Sequence, residues 1–175
     1  MGKIRPPEAA LLFVGTLYSD PEVFLSAEKV LVANFGDVLF VSPPVNWHYS
    51  SYYRDELGSS VRRRFIFYKN LFDTGTLADT KVRTNGIEDS FSVDGKRRIN
   101  LDPGYLTLAK IVLASTKNRA HRINLGKAIY GEVTLLYDGR EGAFKPHFFT
   151  YLDYQEQSCI DVFLMARGIL KNMRG

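Results

Sequence analysis

The sequence predicts an α+β protein with a largely antiparallel sheet, in a single domain that spans residues 1–175. The predicted elements begin in the order β-α-β-β-α-β, which is typical of a ferredoxin-like core with two helices on one face of the sheet. Extra strands and an amphipathic C-terminal helix follow this core. A chain of 175 residues can bury roughly 70% of its unfolded surface, so it needs no disulfide or metal to fold.

The first β-α-β unit has clear boundaries. Residues 11–18 form an apolar run typical of a buried strand. Ser19 and Glu22 have the spacing of a capping box, which predicts a helix from about residue 20. Apolar residues then recur at helical spacing as far as Phe35, and Gly36 follows where a left-handed residue ends many helices. Residues 37–42 are predicted as the second strand, ended by two prolines.

The next elements are less regular. Residues 46–60 are rich in tyrosine and have the composition of a loop, with room for one short helical turn. Residues 62–68 are predicted as a third strand, residues 77–91 as a helix and residues 97–101 as a short fourth strand. We expect these strands to share one sheet with the first two, and both helices to cover the same face.

The last third of the chain continues with strands and a helix. Residues 102–115 are predicted as a helix, or as a helix followed by a strand, because Asp102-Pro103 can open a helix. Residues 121–125 and 129–137 are predicted strands, and Asp138-Gly139 marks a hairpin turn into residues 143–149. Helical spacing of apolar residues predicts a final helix over residues 157–173.

Composition excludes several classes of site. The net charge of +4 favours anionic over cationic ligands. Cys159 is the single cysteine, which excludes an internal disulfide and a multi-cysteine zinc site. The three histidines are scattered without metal-ligand spacing, so we predict no metal and no cofactor. No window approaches 18 apolar residues, and we expect a cytoplasmic protein with no membrane partner.

Nucleotide and hydrolase motifs are also missing from the sequence. It contains no P-loop, no G-x-G-x-x-G and no G-x-S-x-G string. Residues 55–58 match D-x-x-G, a pattern short enough to occur by chance. We therefore predict that the chain does not bind GTP through a P-loop, and whether it is an enzyme stays open.

Three sets of polar residues are candidates for a binding site. One of them, Thr150, Tyr151, Asp153 and Tyr154, lies just before the final helix, where Asp153 or Ser158 can alternatively be a helix cap. On the predicted helix 77–91, Lys81, Thr84, Asn85 and Glu88 share one face, which is either solvated or one wall of a polar pocket. The tetrapeptide Arg-Ile-Asn-Leu occurs at residues 98–101 and again at 122–125. In a strand, isoleucine and leucine lie on one face, and arginine and asparagine lie on the other.

We expect the two arginines to converge on one polar site, because arginine and asparagine side chains suit phosphate or carboxylate groups. If the C-terminal helix covers this face, the arginines need carboxylate or ligand partners, for which Asp102, Glu88 and Glu132 are candidates. The predicted ligand-binding residues are Arg98, Asn100, Asp102, Arg122, Asn124, Lys81, Asn85, Glu88 and Lys117.

Three functions follow from these candidates. The first is binding of a small anionic ligand, such as a nucleotide or a phosphorylated metabolite. The second is an enzyme acting on a phosphate ester, with Asp102 or Glu88 as acid or base. The third is an RNA-binding or protein-interaction module that uses the arginines at 62–64 and the tyrosines at 49, 52 and 53.

Several strings give the chain a recognisable family character: LFVGTLYSD, KVRTNGIED, RRINLDPGYLTLAKIVLASTKNRAHRI, IYGEVTLLY and YLDY before the final helix. Together they resemble an uncharacterised bacterial family, a domain of unknown function of about this length whose members are often labelled GTP-binding protein. The resemblance covers nearly the whole chain and implies no established activity or catalytic residue. The family's usual tryptophan is replaced here by Phe149.

Overall fold

Strands β1 to β9 form one antiparallel sheet in a computed structural model that describes residues 2–173, apart from the side chains of Tyr52 and Arg54. The strands are β1 (Leu11–Tyr18), β2 (Val38–Val41), β3 (Val45–Asn46), β4 (Arg62–Leu71), β5 (Ile99–Leu106), β6 (Lys110–Ser115), β7 (Ile123–Gly126), β8 (Ile129–Asp138) and β9 (Ala143–Pro146). The α-helices are α1 (Pro21–Phe35), α2 (Arg54–Leu57), α3 (Leu77–Ser90) and α4 (Gln157–Met173).

The sheet order is β2-β4-β1-β5-β6-β8-β7, with β3 paired to β4 and β9 paired to β8. The α+β class and the antiparallel sheet are therefore confirmed, and the four strands predicted first are neighbours in it. The ferredoxin-like core and the single domain stay predictions.

Helices cover both faces of the sheet. Apolar residues of α1 and α3 pack against one face, where Phe24, Leu31 and Ile87 contact residues such as Ile99 and Leu101. The two helices predicted to share a face do so. Helix α4 packs on the opposite face and buries Phe163 among Leu11, Phe13 and Phe67. Two apolar layers therefore hold the sheet between them.

The start of α1 differs from the capping-box prediction. Asp20, not Ser19, is the N-cap, and its carboxylate accepts a hydrogen bond from the backbone N–H of Glu22 at 2.9 Å. Pro21 occupies the first turn, where a missing N–H costs nothing. At the other end Gly36 has a φ of 91°, in the left-handed region as predicted.

Residues 102–115 contradict the helix prediction. Strand β5 runs on to Leu106, and β6 follows it after a short turn. Gly104 makes this hairpin possible, because a Cβ atom there would collide with the carbonyl oxygen of Val112 and the ring of Phe13. The strands are buried on both sides, so their apolar residues do not alternate with polar ones.

The sheet is split between β5 and β6. Their pairing is confined to residues 104–106 and 111–113, although β5 pairs with β1 along residues 99–106. The two strands separate beyond Gly104, and α3 lies across the opening in contact with β5, β6 and β8. Pro103 lies at the start of the split. Another residue at this position would direct its backbone N–H into the gap, as Leu101 does, whereas proline has no N–H.

The C-terminal elements follow the predictions closely. The hairpin turn begins at Asp138, whose carboxylate accepts from the N–H of Arg140 at 2.8 Å. Strand β9 ends at Pro146 rather than at 149, because His147 and Thr150 close a tight turn there. Strand β7 is an exposed edge strand that begins at Ile123 rather than at 121. No helix within residues 2–173 is long and apolar enough to cross a membrane.

Candidate functional site

At the split, side chains of α3 form the hydrogen bonds with the β5 backbone that a neighbouring strand would otherwise form. The ammonium group of Lys81 donates to the carbonyl oxygen of Leu101 at 2.8 Å. The N–H of Leu101 donates to Oε1 of Glu88 at 2.5 Å. Backbone groups that would otherwise be buried without partners are thus satisfied. This arrangement explains why Lys81, Thr84 and Glu88 are buried on a helix with few apolar residues.

A cavity of about 620 Å³ opens beside the split. It is bounded by β5 and β6, by α3, by the segment at residues 47–53 and by the segment at residues 151–154. Its cations are Arg63, Lys81, Arg97, Lys117 and Arg122. Its carboxylates are Glu88, Asp89, Asp102, Glu132 and Asp153. Its aromatic residues are Trp47, Tyr49, Tyr53, Tyr151 and Tyr154.

The β5 side of the cavity is an ion-paired network. Asp102 lies 3.2 Å from the Lys81 ammonium group and accepts from the amide of Asn100 at 2.7 Å. Arg97 donates to Glu88 at 3.2 Å and to Glu56 at 2.7 Å. Each buried charge on this side therefore has an opposite charge within hydrogen-bond distance, as buried charges require.

Asp102 and Glu88 have different protonation properties. Burial opposes the charge of Asp102, but Lys81 and Arg63 hold the pKa of this carboxyl below its ordinary value. Burial raises the pKa of Glu88 above its ordinary value, and the charge of Lys81 offsets this only in part. Asp102 is therefore the stable anion of the pair.

The β6 and β8 side of the cavity is organised around Arg122. Its guanidinium pairs with Glu132 at 2.6 Å, and both side chains are 3% exposed. It also donates to the Ser115 hydroxyl at 3.0 Å and to the carbonyl oxygen of Lys117 at 2.9 Å. The Tyr151 hydroxyl accepts a further bond. These contacts fix the guanidinium in one orientation.

Arg63 forms the third part of the lining. It pairs with Asp153 at 2.5 Å, and the Trp47 indole donates to the same carboxylate oxygen at 3.0 Å. Its guanidinium lies over the rings of Phe65 and Tyr154, at 5.6 and 5.5 Å from their centres. Its Nε and Nη1 atoms are buried without a hydrogen-bond partner in the described part of the chain, so the rings supply their main stabilisation.

Most of the predicted site residues line this one cavity: Lys81, Asn85, Glu88, Asn100, Asp102, Lys117 and Arg122. That they bind a ligand stays a prediction. The predicted convergence of Arg98 with Arg122 is wrong. Arg98 precedes β5, is about half-exposed and pairs with Asp20 at the start of α1, at 2.6 Å. Asn124 is exposed on the edge strand, where its side chain accepts from the N–H of Gly126.

The arginine run at 62–64 does not form one basic surface. Arg62 is exposed, Arg63 is buried on the α4 side, and Arg64 donates to the Ser42 carbonyl oxygen and lies over the Phe24 ring. Among the three tyrosines, Tyr49 and Tyr53 line the cavity, whereas the side chain of Tyr52 lies outside the described residues.

Arg97 and Trp47 were not among the predicted candidates, whereas Arg63 belongs to the 62–64 run and Asp153 to the polar group before the final helix. One signal was available for Arg63, which shares a strand face with Phe65 and Phe67 and so had to be buried with them. Trp47 comes from an irregular segment that gives no such signal, and Asp153 lies in the short 3-10 helix Leu152–Gln155. Within residues 2–173, no cluster of three or more histidine, cysteine, aspartate or glutamate side chains could hold a metal ion.

The comparisons with known proteins identify a family and no function. A family model described as "Domain of unknown function (DUF4416)" matches residues 8–169, nearly the whole chain. Neither a curated protein nor a solved structure matches the chain. The chain therefore belongs to the DUF4416 family, a domain of unknown function.

Proposed function

We propose that the protein binds a small ligand with an anionic group in the cavity beside the split. One observation carries this proposal. Where β5 and β6 separate, the protein does not close the gap with apolar side chains. It surrounds a hollow with five cations and five carboxylates instead.

Such a lining is costly if its role is only structural. Buried ion pairs lose much of their hydration, and apolar residues of similar size often stabilise a fold as well or better. A volume of about 620 Å³ is also in the range of small-molecule sites, which are about 300–1,000 Å³. A ligand that uses the charged groups accounts for both features.

The anionic group of the ligand fits best at the β6 end of the cavity. Arg122 and Lys117 come together there, since the guanidinium of Arg122 bonds to the Lys117 backbone. The Ser115 and Tyr151 hydroxyls lie at the same end. A guanidinium, an ammonium group and hydroxyls are the groups that commonly hold phosphate or carboxylate.

Acid–base catalysis on a phosphate ester has less support. Both carboxylate oxygens of Glu88 already accept hydrogen bonds, from Leu101 and from Arg97. The pKa of Asp102 lies below its ordinary value because of Lys81 and Arg63, although burial opposes this, so Asp102 is a weak base. An RNA-binding role has less support as well, because the arginines at 62–64 face in different directions.

A binding screen tests the proposal. Inorganic phosphate, ribose 5-phosphate, glucose 6-phosphate and two nucleoside monophosphates are added to the protein, and the melting temperature and the calorimetric Kd are measured. We expect at least one phosphate compound to bind and to raise the melting temperature.

Two variants locate the site. Lys117→Glu, at the cavity rim, should weaken that binding by about threefold or more, because one nearby charge is reversed. Lys29→Glu on the outer face of α1 makes the same charge change away from the cavity and should leave the Kd unchanged. If no phosphate compound binds, or if both variants weaken binding equally, the proposed function is wrong.

A further inference from the structure

Asp102 is more exposed in the cavity than Lys81 and Glu88, the charged side chains beside it. Its side chain is 31% exposed, whereas those of its neighbours Lys81 and Glu88 are 6% exposed. Asp102 lines the cavity, so a ligand in the cavity can contact its exposed surface. A ligand in the cavity therefore meets Asp102 more readily than the cations behind it.

The hydrogen bonds of Asp102 leave room for two donors from a ligand. Oδ1 accepts from Lys81, and Oδ2 accepts from Asn100. An ionised carboxylate has about four acceptor positions, two on each oxygen. Among the described residues these two bonds occupy one position on each oxygen, so each oxygen can take one more donor. Two donors side by side match this arrangement.

The charges around Asp102 show which donors are suitable. Lys81 lies 3.2 Å from the carboxylate, and Arg63 is close enough to help keep it ionised. A ligand ammonium group at this point would be repelled by both cations. Neutral hydroxyl groups are not repelled, and they can only gain from an anionic acceptor.

Aromatic residues complete this half of the cavity. Tyr53 and Trp47 line it and contact each other edge to face, with ring centres 5.3 Å apart. Arg97 lies over the Tyr53 ring at 5.9 Å, which holds the ring in place. Flat rings of this kind offer a surface to the apolar side of a sugar ring or to a planar base.

From these observations, and on the basis of the proposed function, we propose that the ligand is a sugar phosphate, free or within a nucleotide, whose two neighbouring hydroxyl groups both donate to Asp102. The phosphate then lies toward Arg122 and Lys117, and the sugar lies against the aromatic residues. Asp102 acts as a specificity residue in this arrangement and takes no part in a chemical step.

Matched pairs of compounds test the inference on the unaltered protein. Ribose 5-phosphate is compared with 2-deoxyribose 5-phosphate. Adenosine and guanosine 5′-monophosphates are compared with their 2′-deoxy forms, which lack one of the two neighbouring hydroxyl groups of the nucleotide. The diol form should bind at least about tenfold more tightly, because a lost hydrogen bond to a charged acceptor has an effect of this size. Comparison of the sugar phosphates with the nucleotides shows whether the sugar is free or part of a nucleotide.

Two variants then test whether the preference for the diol form over the deoxy form depends on Asp102. In Asp102→Asn the preference for the diol form over the deoxy form should fall to about threefold or less. Inorganic phosphate should bind at least as tightly as to the native protein, because a negative charge is removed from the cavity. Asp94→Asn, at an exposed carboxylate in the turn after α3 and outside the cavity lining, should keep the full preference.

Equal affinity for the diol and deoxy forms would overturn the inference but leave the proposed function intact. The same holds if the preference survives in Asp102→Asn. If inorganic phosphate and all the phosphate compounds fail to bind, the proposed function fails and the inference fails with it. The compound pairs need no variant, so they decide the matter even if Asp102→Asn does not fold.

Discussion

The two copies of the tetrapeptide Arg-Ile-Asn-Leu lie in different regions of the molecule, and the residues that are buried in one copy are exposed in the other. At β5 the arginine is about half-exposed, whereas Ile99, Asn100 and Leu101 are at most 3% exposed. At β7 the arginine side chain is 3% exposed, whereas Ile123 is 69% exposed. Both copies contribute a polar residue to the same cavity: Asn100 from the first copy and Arg122 from the second.

The position of each strand in the sheet explains the difference. Strand β5 lies in the interior with helices on both faces, so every side chain in it must find a buried partner. Strand β7 is the edge of the sheet, and all four of its residues are exposed. Burial is therefore set by neighbours in space, and an identical local pattern can serve two different purposes.

The largest difference in stability should be between the alanine variants of the two arginines. Arg122→Ala leaves Glu132 buried beside the cavity without its guanidinium, which should lower the free energy of unfolding by about 3–5 kcal/mol. Arg98→Ala removes an exposed ion pair and should cost less than about 1 kcal/mol. Urea denaturation of both variants measures this, and comparable losses would contradict the assigned burial.

A smaller difference should separate the isoleucines. Ile99→Ala creates a cavity in the packed layer beneath α1 and α3 and should cost about 2–5 kcal/mol. Ile123→Ala on the exposed edge should change stability by no more than about 0.5 kcal/mol. The same denaturation experiment applies, and a costly Ile123→Ala would mean that β7 is covered in solution.

The asparagines should differ less again. Asn100 links Arg97 to Asp102 in the buried network, so Asn100→Ala should cost about 1–3 kcal/mol. Asn124 bonds only the turn at Gly126 among the described residues, and Asn124→Ala should cost about 0.5–1.5 kcal/mol. Thermal unfolding by circular dichroism gives both values, and a reversed order would break the comparison.

The smallest effect is a pH dependence that belongs to the β5 copy. Burial raises the pKa of Glu88, which bonds to Leu101, above the ordinary value of 4.5. The folded state therefore holds this proton more tightly than the unfolded chain does, and the associated stability is lost as the pH rises through the raised pKa. Glu88→Gln does not titrate, so its stability relative to the native protein should increase from pH 4.5 upwards in urea titrations.

The Asp102 carboxyl should behave in the opposite way. Despite its burial, Lys81 and Arg63 lower its pKa from the ordinary value of 3.8, so its contribution is present above that value and is lost as the pH falls below it. Asp102→Asn should therefore differ from the native protein mainly above pH 3.8. A difference that grows toward lower pH would contradict the ion pair with Lys81.

Sequence patterns predict the fold where they are local and fail where the sheet opens. Capping residues, the Asp138-Gly139 turn and helical spacing predict α1, the β8–β9 hairpin and α4. Residues 103–115 are mostly apolar, a pattern shared by a helix and by a strand buried on both faces. The split itself depends on which strands pair, and no stretch of sequence encodes that.

The candidate site shows the same limit. Lys81, Asn85 and Glu88 are on one helix face by their spacing, but spacing cannot decide between a solvated face and a buried one. Burial follows from the position of α3 across the split. Arg98 and Arg122 are each followed by the same three residues, so the local sequence predicts the same environment for both, and the sheet order places them in different ones.

Because α3 is hydrogen-bonded to Leu101, the hydrogen–deuterium exchange rate of the Leu101 amide depends on the position of the helix. The N–H of Leu101 is held by the side chain of Glu88 rather than by a neighbouring strand. Its proton can exchange with solvent deuterium only when the bond to Glu88 breaks, as it does when the helix moves away from the gap. The exchange rate of this one amide therefore measures how often α3 opens, and any molecule that ties α3 to β6 would slow it without touching Leu101.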